Sequence, residues 1–198
     1  MIVIDIECSG LDPVQNGLLS IGAIDFLHPS VTFYGECRLR TGEKVNPVAS
    51  EINGFTSEDA HDPSKMSTRE LLIKFRDWLE RRPVKVIAGL HVGAFDSQFL
   101  NAKAKQIKVG LYVHYRSIDL HSIAYAKMLQ IGKVIPLTDG WSVMDTDFIH
   151  PFCGLPTEPR PHHALAGAKW EAESLSRLIY GKGLLKSFAN YPVPKYLK

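Results

Sequence analysis

A chain of 198 residues, 45% of them hydrophobic, is long enough to bury one substantial core and short for two. Its formal net charge of +2 provides no basic footprint that would require a nucleic-acid partner, although a small cleft can still be locally positive or metal-charged. Cys8, Cys37 and Cys153 are odd in number, widely spaced and without a CxxC pair, which argues against both a disulfide framework and a zinc knuckle.

The chain opens on MIVIDIE, an apolar β-branched run with neither a basic n-region nor a small-residue cleavage site, so no secretory signal is expected. No apolar run approaches the ~20 residues of a membrane helix, and a soluble, cytoplasmic protein is the expectation. MIVIDIE, LLSIGAIDF and VTFYGECRL, with turn residues between them, predict three successive strands in an antiparallel meander. A Pro/Ser/Asp-rich loop follows. STRELLIKFRDWLERR then opens on a Ser/Thr cap and sets Leu71, Leu72, Phe75, Trp78 and Leu79 at helical spacing. VKVIAGLH reads as a buried strand, AFDSQFLNAKAKQ as a helix, and SIDLHSIAYAKML as a strand end running into another helix. The Gly-, Pro- and Asp-rich segment from Gly132 to Pro161 reads as a long loop with one helical turn around Val143 to Phe148. ALAGAKWEAESLSRLIY predicts a long last helix closed by Gly181. Residues 1–181 are expected to form the domain. Residues 182–198, ending in NYPVPKYLK, are expected to form a surface-bound extension packed on it or trailing from it. Strands first and alternating helices afterwards make a layered α/β domain.

Asp5 and Glu7 alternate with Val3, Ile4 and Ile6, so a strand would place both carboxylates on one face and the apolar side chains on the other. Two like charges that close repel unless a cation lies between them. Taken alone, such a pair also suits a solvated outer face, but the aliphatic density around it suits a central strand. Asp96 follows the strand VIAGLH near the start of the next helix, where an isolated acid would serve as a cap. Three oxygen donors near sheet ends are what a hard divalent ion such as Mg2+ or Mn2+ requires.

IDIECSGLDP, HVGAFDSQFL and HHALAGA, in that order, resemble the three motifs of the DEDDh group of 3′-to-5′ exonucleases, which includes DNA proofreading subunits, RNase T and oligoribonuclease. The resemblance runs from Met1 to about Tyr180. It implies an RNase H-like fold with a mixed central sheet, an antiparallel three-strand start and flanking helices. It also implies release of nucleoside 5′-monophosphates from single-stranded DNA or RNA 3′ ends with two Mg2+ or Mn2+ ions. Asp5, Glu7 and Asp96 match the family's acids, and His162 matches its general base, with the neighbouring His163 ranked second. Gly10 and Leu11 match the stretch that meets the terminal 3′ hydroxyl and the last base. Phe99 is a further substrate-binding candidate; Leu11 and Phe99 equally suit an ordinary core, and for Phe99 the core is the preferred reading. Asp119, in RSIDLHS, stands where relatives often carry an acid. Homodimers are found among similar exonucleases.

The resemblance breaks at Gly167, where the family pattern has its fourth acid. Glycine inside a helix costs about 1 kcal/mol relative to alanine, so a reason is worth seeking. Three explanations stand. Glu171, one turn further on the same face, supplies the ligand; a water replaces it; or catalysis is lost and a nucleic-acid-binding module remains. Glu173 and Lys169 read as surface residues. Val92 replaces an asparagine common in relatives, which removes a polar contact near the site but no metal ligand.

Overall fold

The computed structural model describes all 198 residues. β1 (Ile2–Cys8), β2 (Leu18–Asp25) and β3 (Thr32–Arg38) form the expected meander, β1 and β2 pairing antiparallel with Asp5 opposite Gly22. The segment expected to be a plain loop folds into α1 (Pro47–Asn53) and α2 (Ser57–His61). Both are too short for periodicity to show, and each is set by its cap: Asn46 accepts from the Val48 N–H, and Thr56 forms a capping box with Asp59. β4 (Met66–Ser67) leads into α3 (Thr68–Glu80), whose Leu71, Leu72, Phe75, Trp78 and Leu79 are all buried as their spacing requires. β5 (Ile87–Gly89) is only the buried centre of the expected strand. α4 (Asp96–Gln106), β6 (Ile118–Asp119) and α5 (Leu120–Gln130) follow.

The stretch after Gly132 holds more order than its composition suggests: a hairpin of β7 (Leu137–Thr138) and β8 (Trp141–Ser142), then α6 (Thr146–Phe152). α7 (Ala164–Tyr180) ends at Gly181, which takes the left-handed cap conformation. The main sheet has the order β4-β3-β2-β1-β5-β6, with β1 parallel to β5 and β5 parallel to β6. It is a mixed sheet with an antiparallel start, covered by helices on both faces.

The buried apolar groups divide between those faces. Ile2, Ile4 and Ile6 of β1 pack with Leu71, Phe75 and Leu100 from α3 and α4. Val3, Ile24 and Ala88 pack with Ala168, Ala172 and Leu175 of α7 and with α5 and α6. Val3 therefore shares the face of Asp5 and Glu7, as the strand's two-residue period demands, rather than the face of the isoleucines. The α7 layer lies unusually close to the sheet. A methyl group on Gly22 would collide with the backbone of Ala164 and Leu165, so glycine in β2 lets the first turn of α7 rest on the strand beside Asp5.

Glu173 corrects the sequence reading: it is fully buried, not a surface residue. Its carboxylate accepts from Arg177 Nε at 2.7 Å and from the N–H groups of Leu184 and Leu185 at 2.8 Å each. The buried Arg177 guanidinium donates to the carbonyls of Cys153, Gly154, Phe188 and Tyr191. This ion pair fastens residues 184–191 across α7, and Phe188 and Leu197 complete the core there. A helical pair of opposite charges normally faces water; here the tail folds over it. No helix is long and apolar enough to cross a membrane.

Candidate active site

Three secondary-structure elements and one loop deliver carboxylates to one cavity of roughly 270 Å³, lined by Asp5, Glu7, Asp96, Glu158, His162 and Glu171 among others. Asp5 and Glu7 come from β1, side by side on the face toward α7. Asp96 begins α4, where β5 hands over to the helix layer. Glu171 projects from the second turn of α7, and its Oε2 would lie 2.9 Å from a methyl group placed on Gly89. The structure thus brings together every acid expected from the sequence, and adds Glu158, which was not expected. Glu158 lies in the extended Pro-rich segment before α7, where no periodicity marks a residue as inward-facing; the only sequence signal was an acid four residues before His162.

Crowding like charges in a buried cavity disfavours ionisation. Burial, then the charges of Glu158 and Asp96, raise Glu7 to about 8. Burial raises Asp96 to about 7 against backbone hydrogen bonds, and Glu158 to about 7 against a hydrogen bond from the His163 backbone. Asp5 and Glu171 are also pushed well up, first by burial and then by their acidic neighbours. Glu158 and Glu171 are 9% and 5% exposed, and Glu158 Oε1 and Glu171 Oε2 have no hydrogen-bond partner. Buried oxygens left unpaired in this way are costly unless a cation or donor meets them.

The donor set suits a hard divalent ion in kind: it is all oxygen, acidic, buried and in part unpaired. No three of the side chains stand close enough, in the rotamers seen, to cage one ion. That spacing matches how Mg2+ is usually held, by one or two carboxylates with waters and substrate phosphates completing the shell.

His162 lines the same cavity, and its backbone N–H donates to the Ile52 carbonyl at 2.9 Å, which ties it to the end of α1. α1 is in turn joined to β1, because buried Asn53 donates to the Cys8 carbonyl at 3.0 Å. Burial and the positive Arg160 hold the His162 imidazole below its ordinary range, Asp147 opposing them. His163 is otherwise engaged. It caps α7 by accepting from the Ala166 N–H and stacks on Tyr34 with ring centroids 4.2 Å apart. Between the two histidines, geometry favours His162.

Gly10 and Leu11 line an adjoining, mostly apolar cavity of roughly 240 Å³ with Ile6, Val48, Ile52 and Phe95, and it shares Glu7 with the acidic one. Leu11 is 80% exposed at its mouth. Phe99 is buried in the core against Phe95, as the preferred sequence reading has it, and Phe95 lines the cavity wall. Asp119 caps α5, accepting from the Ser122 N–H and hydroxyl and from the His91 N–H at 2.7 Å. Burial alone would raise it, but those hydrogen bonds outweigh burial and hold it low, as befits a structural acid. Val92 is fully buried in the core and presents nothing to the site.

Gly167 lies directly on the acids. A methyl group there would collide with Asp5 Oδ2 and would lie 3.5 Å from Glu158 Oε1.

Two solved nuclease structures share this architecture. Cell-death related nuclease 4 superposes with a TM-score of 0.67 over 92% of this chain and 64% of that one, at 14% identity. Escherichia coli exonuclease I, crystallised with a dT13 oligonucleotide, gives 0.68 over 89% of this chain and 40% of that one, at 16% identity. The chain shares the fold of these two nucleases. No protein-family model matches the sequence. A PolC-type DNA polymerase III of Thermotoga petrophila is 28% identical over 178 residues, or 90% of this chain. The exonuclease-fold chain spans only 12% of the length of that polymerase.

Proposed function

We propose that the protein is a metal-dependent exonuclease that removes nucleoside 5′-monophosphates from the 3′ end of single-stranded DNA or RNA. The observation that carries the proposal is the meeting of Asp5, Glu7, Asp96, Glu171 and a half-buried His162 in one cavity beside an apolar one. Asp5, Glu7, Asp96 and Glu171 would hold two Mg2+ or Mn2+ ions. Bound there, the ions supply positive charge for the phosphoryl oxygens and acidify a water molecule. His162, kept neutral by burial, accepts the proton of the attacking water at its ring nitrogen. Leu11 and the apolar wall seat the terminal base, and Gly10 lets the backbone turn at the cavity's edge with φ +155°. The oligonucleotide of the exonuclease I complex and the ion in its zinc-bound single-stranded DNA complex suit this reading.

A second reading, a binding module that keeps the fold without catalysis, rests on Gly167. One assay separates the two. Release of 5′-mononucleotides from single-stranded DNA and from short RNA is followed with Mn2+, Mg2+ or EDTA, for wild type and Asp5→Ala. Metal-dependent release that disappears in Asp5→Ala is expected, and it also identifies the preferred sugar. A folded wild-type protein that binds these strands and releases nothing overturns the exonuclease reading in favour of the binding module.

A further inference from the structure

The acid missing at position 167 raises the question of what stands in its place. Glu171, one turn on, lies on the β5 side of the cavity, with its Oε2 against Gly89. Glu158 lies beside position 167, and its Oε1 is 3.5 Å from the point where a side chain at 167 would begin. A short acid on α7 at that point would direct its carboxylate into the space that Glu158 Oε1 and Asp5 Oδ2 occupy.

We propose that Glu158 supplies the metal-binding carboxylate that Gly167 cannot, reaching its place from the loop before α7 instead of from the helix itself. This rests on the metal-dependent reading above and deepens it. Three observations support it independently of the acidic cluster as such. Glu158 Oε1 is buried and has no hydrogen-bond partner, although the carboxyl group also takes a hydrogen bond from the His163 backbone, so one oxygen is anchored and the other is left unpaired. The loop that carries it leads straight to His162, whose backbone is tied to Ile52, so Glu158 and the proposed base enter the cavity on one short segment. Trp170 Nε1 donates to the Pro156 carbonyl at 3.2 Å, which fastens the loop to α7 two residues before Glu158. Glu171 remains a ligand candidate by Gly89, and the two glutamates enter the cavity from different elements.

A residue kept for structure and a residue kept for a cation behave oppositely when neutralised. Without metal, Glu158→Gln removes a negative charge from a buried acidic cluster. The EDTA-treated variant should therefore melt at or above the wild-type temperature. With metal, the variant should lose affinity. Mn2+ titrations followed by electron paramagnetic resonance, with a 3′-terminal phosphorothioate oligonucleotide present, would compare wild type, Glu158→Gln, Glu171→Gln and Asp5→Asn. The expected result is at least a tenfold weaker Mn2+ affinity, or loss of one bound ion, in Glu158→Gln, together with a smaller Mn2+-induced rise in melting temperature. Mn2+ binding by Glu158→Gln equal to wild type, with Asp5→Asn impaired, overturns the role of Glu158 and leaves the metal site standing. Absence of saturable Mn2+ binding by wild type overturns the metal site and this proposal together. Glu158→Asp, which keeps the charge on a shorter arm, provides the same comparison if the glutamine variant does not fold; Mn2+ binding by it equal to wild type overturns the role of that arm.

Discussion

Substituting alanine for Gly167 separates the stability of this fold from the integrity of its acids. In a helix interior, Gly→Ala gains about 1 kcal/mol from backbone entropy and helix propensity. The added methyl group collides with Asp5 Oδ2, and 3.0 Å separates it from Asp5 Cγ, so the carboxylate must turn aside. Moving a short side chain off its rotamer costs about 0.5–1.5 kcal/mol. The two terms nearly cancel, and the net change should stay within about 1 kcal/mol, or ~2–4 °C in melting temperature for a chain of this size. Activity has no such compensation. A shift on the order of an ångström in a group that positions the reaction costs about 10²-fold. Differential scanning fluorimetry and single-turnover release of mononucleotides with Mn2+ measure the two effects on one preparation. Full activity in Gly167→Ala would show that Asp5 is not needed where it stands. A loss of stability beyond about 3 kcal/mol would show that α7 lacks the freedom to let the carboxylate move, in the manner of an overpacked core.

Two further expectations follow from the buried charges. Glu7 near 8 and Asp96 and Glu158 near 7 all stand above the ~4 of an unfolded carboxyl group, so between those limits the native state binds more protons than the unfolded one. The stability these groups contribute is present at low pH and is lost as pH rises through their folded values. EDTA-treated protein should be most stable near pH 5 and should melt at progressively lower temperature up to pH 8, with saturating Mg2+ flattening the slope; a melting temperature that climbs over that range contradicts the assignment. Arg177→Met leaves the fully buried Glu173 without its cation and should cost about 3–5 kcal/mol in urea denaturation, with new protease cleavage between residues 182 and 198. An unchanged denaturation midpoint would show that the tail is held by its apolar side chains alone.

What the sequence discloses is set by the range of the interaction. The two-residue alternation of β1 put Asp5 and Glu7 on one face, and the helical spacing of Leu71, Leu72, Phe75, Trp78 and Leu79 located α3, because in both cases the period lies within the element itself. Asp96 was legible as the opening of a helix. The placement of Val3, on the acids' face, follows the same alternation and was missed where hydrophobicity was allowed to override period. α1 and α2 are shorter than two or three turns, and their caps are ordinary turn chemistry out of context. Glu173 and Arg177 form an i,i+4 pair that anywhere else marks a wet surface. Their burial depends on a tail that returns from residues 184–191, and no local pattern announces such a return. Glu158 belongs with them: an acid in an extended proline-rich loop acquires meaning only from what the loop crosses.

The two glycines at the site then stand to each other as cause and consequence. Gly22 is opposite Asp5 in the β1–β2 register, and its missing side chain lets Ala164 and Leu165 settle on the sheet. Once α7 begins that close, the residue one turn later sits on the Asp5 carboxylate, and any side chain at 167 competes with it for the same space. A helix so placed has no room for an acid at position 167, although a longer arm from position 171 still reaches the cavity by leaning back along the helix. Negative charge beside position 167 has to come from another segment, and the loop ending at His162, which brings Glu158 Oε1 there, supplies it. Swapping Gly22 for alanine would therefore disturb Asp5, His162 and both glutamates through a single backbone displacement, without touching any of them directly.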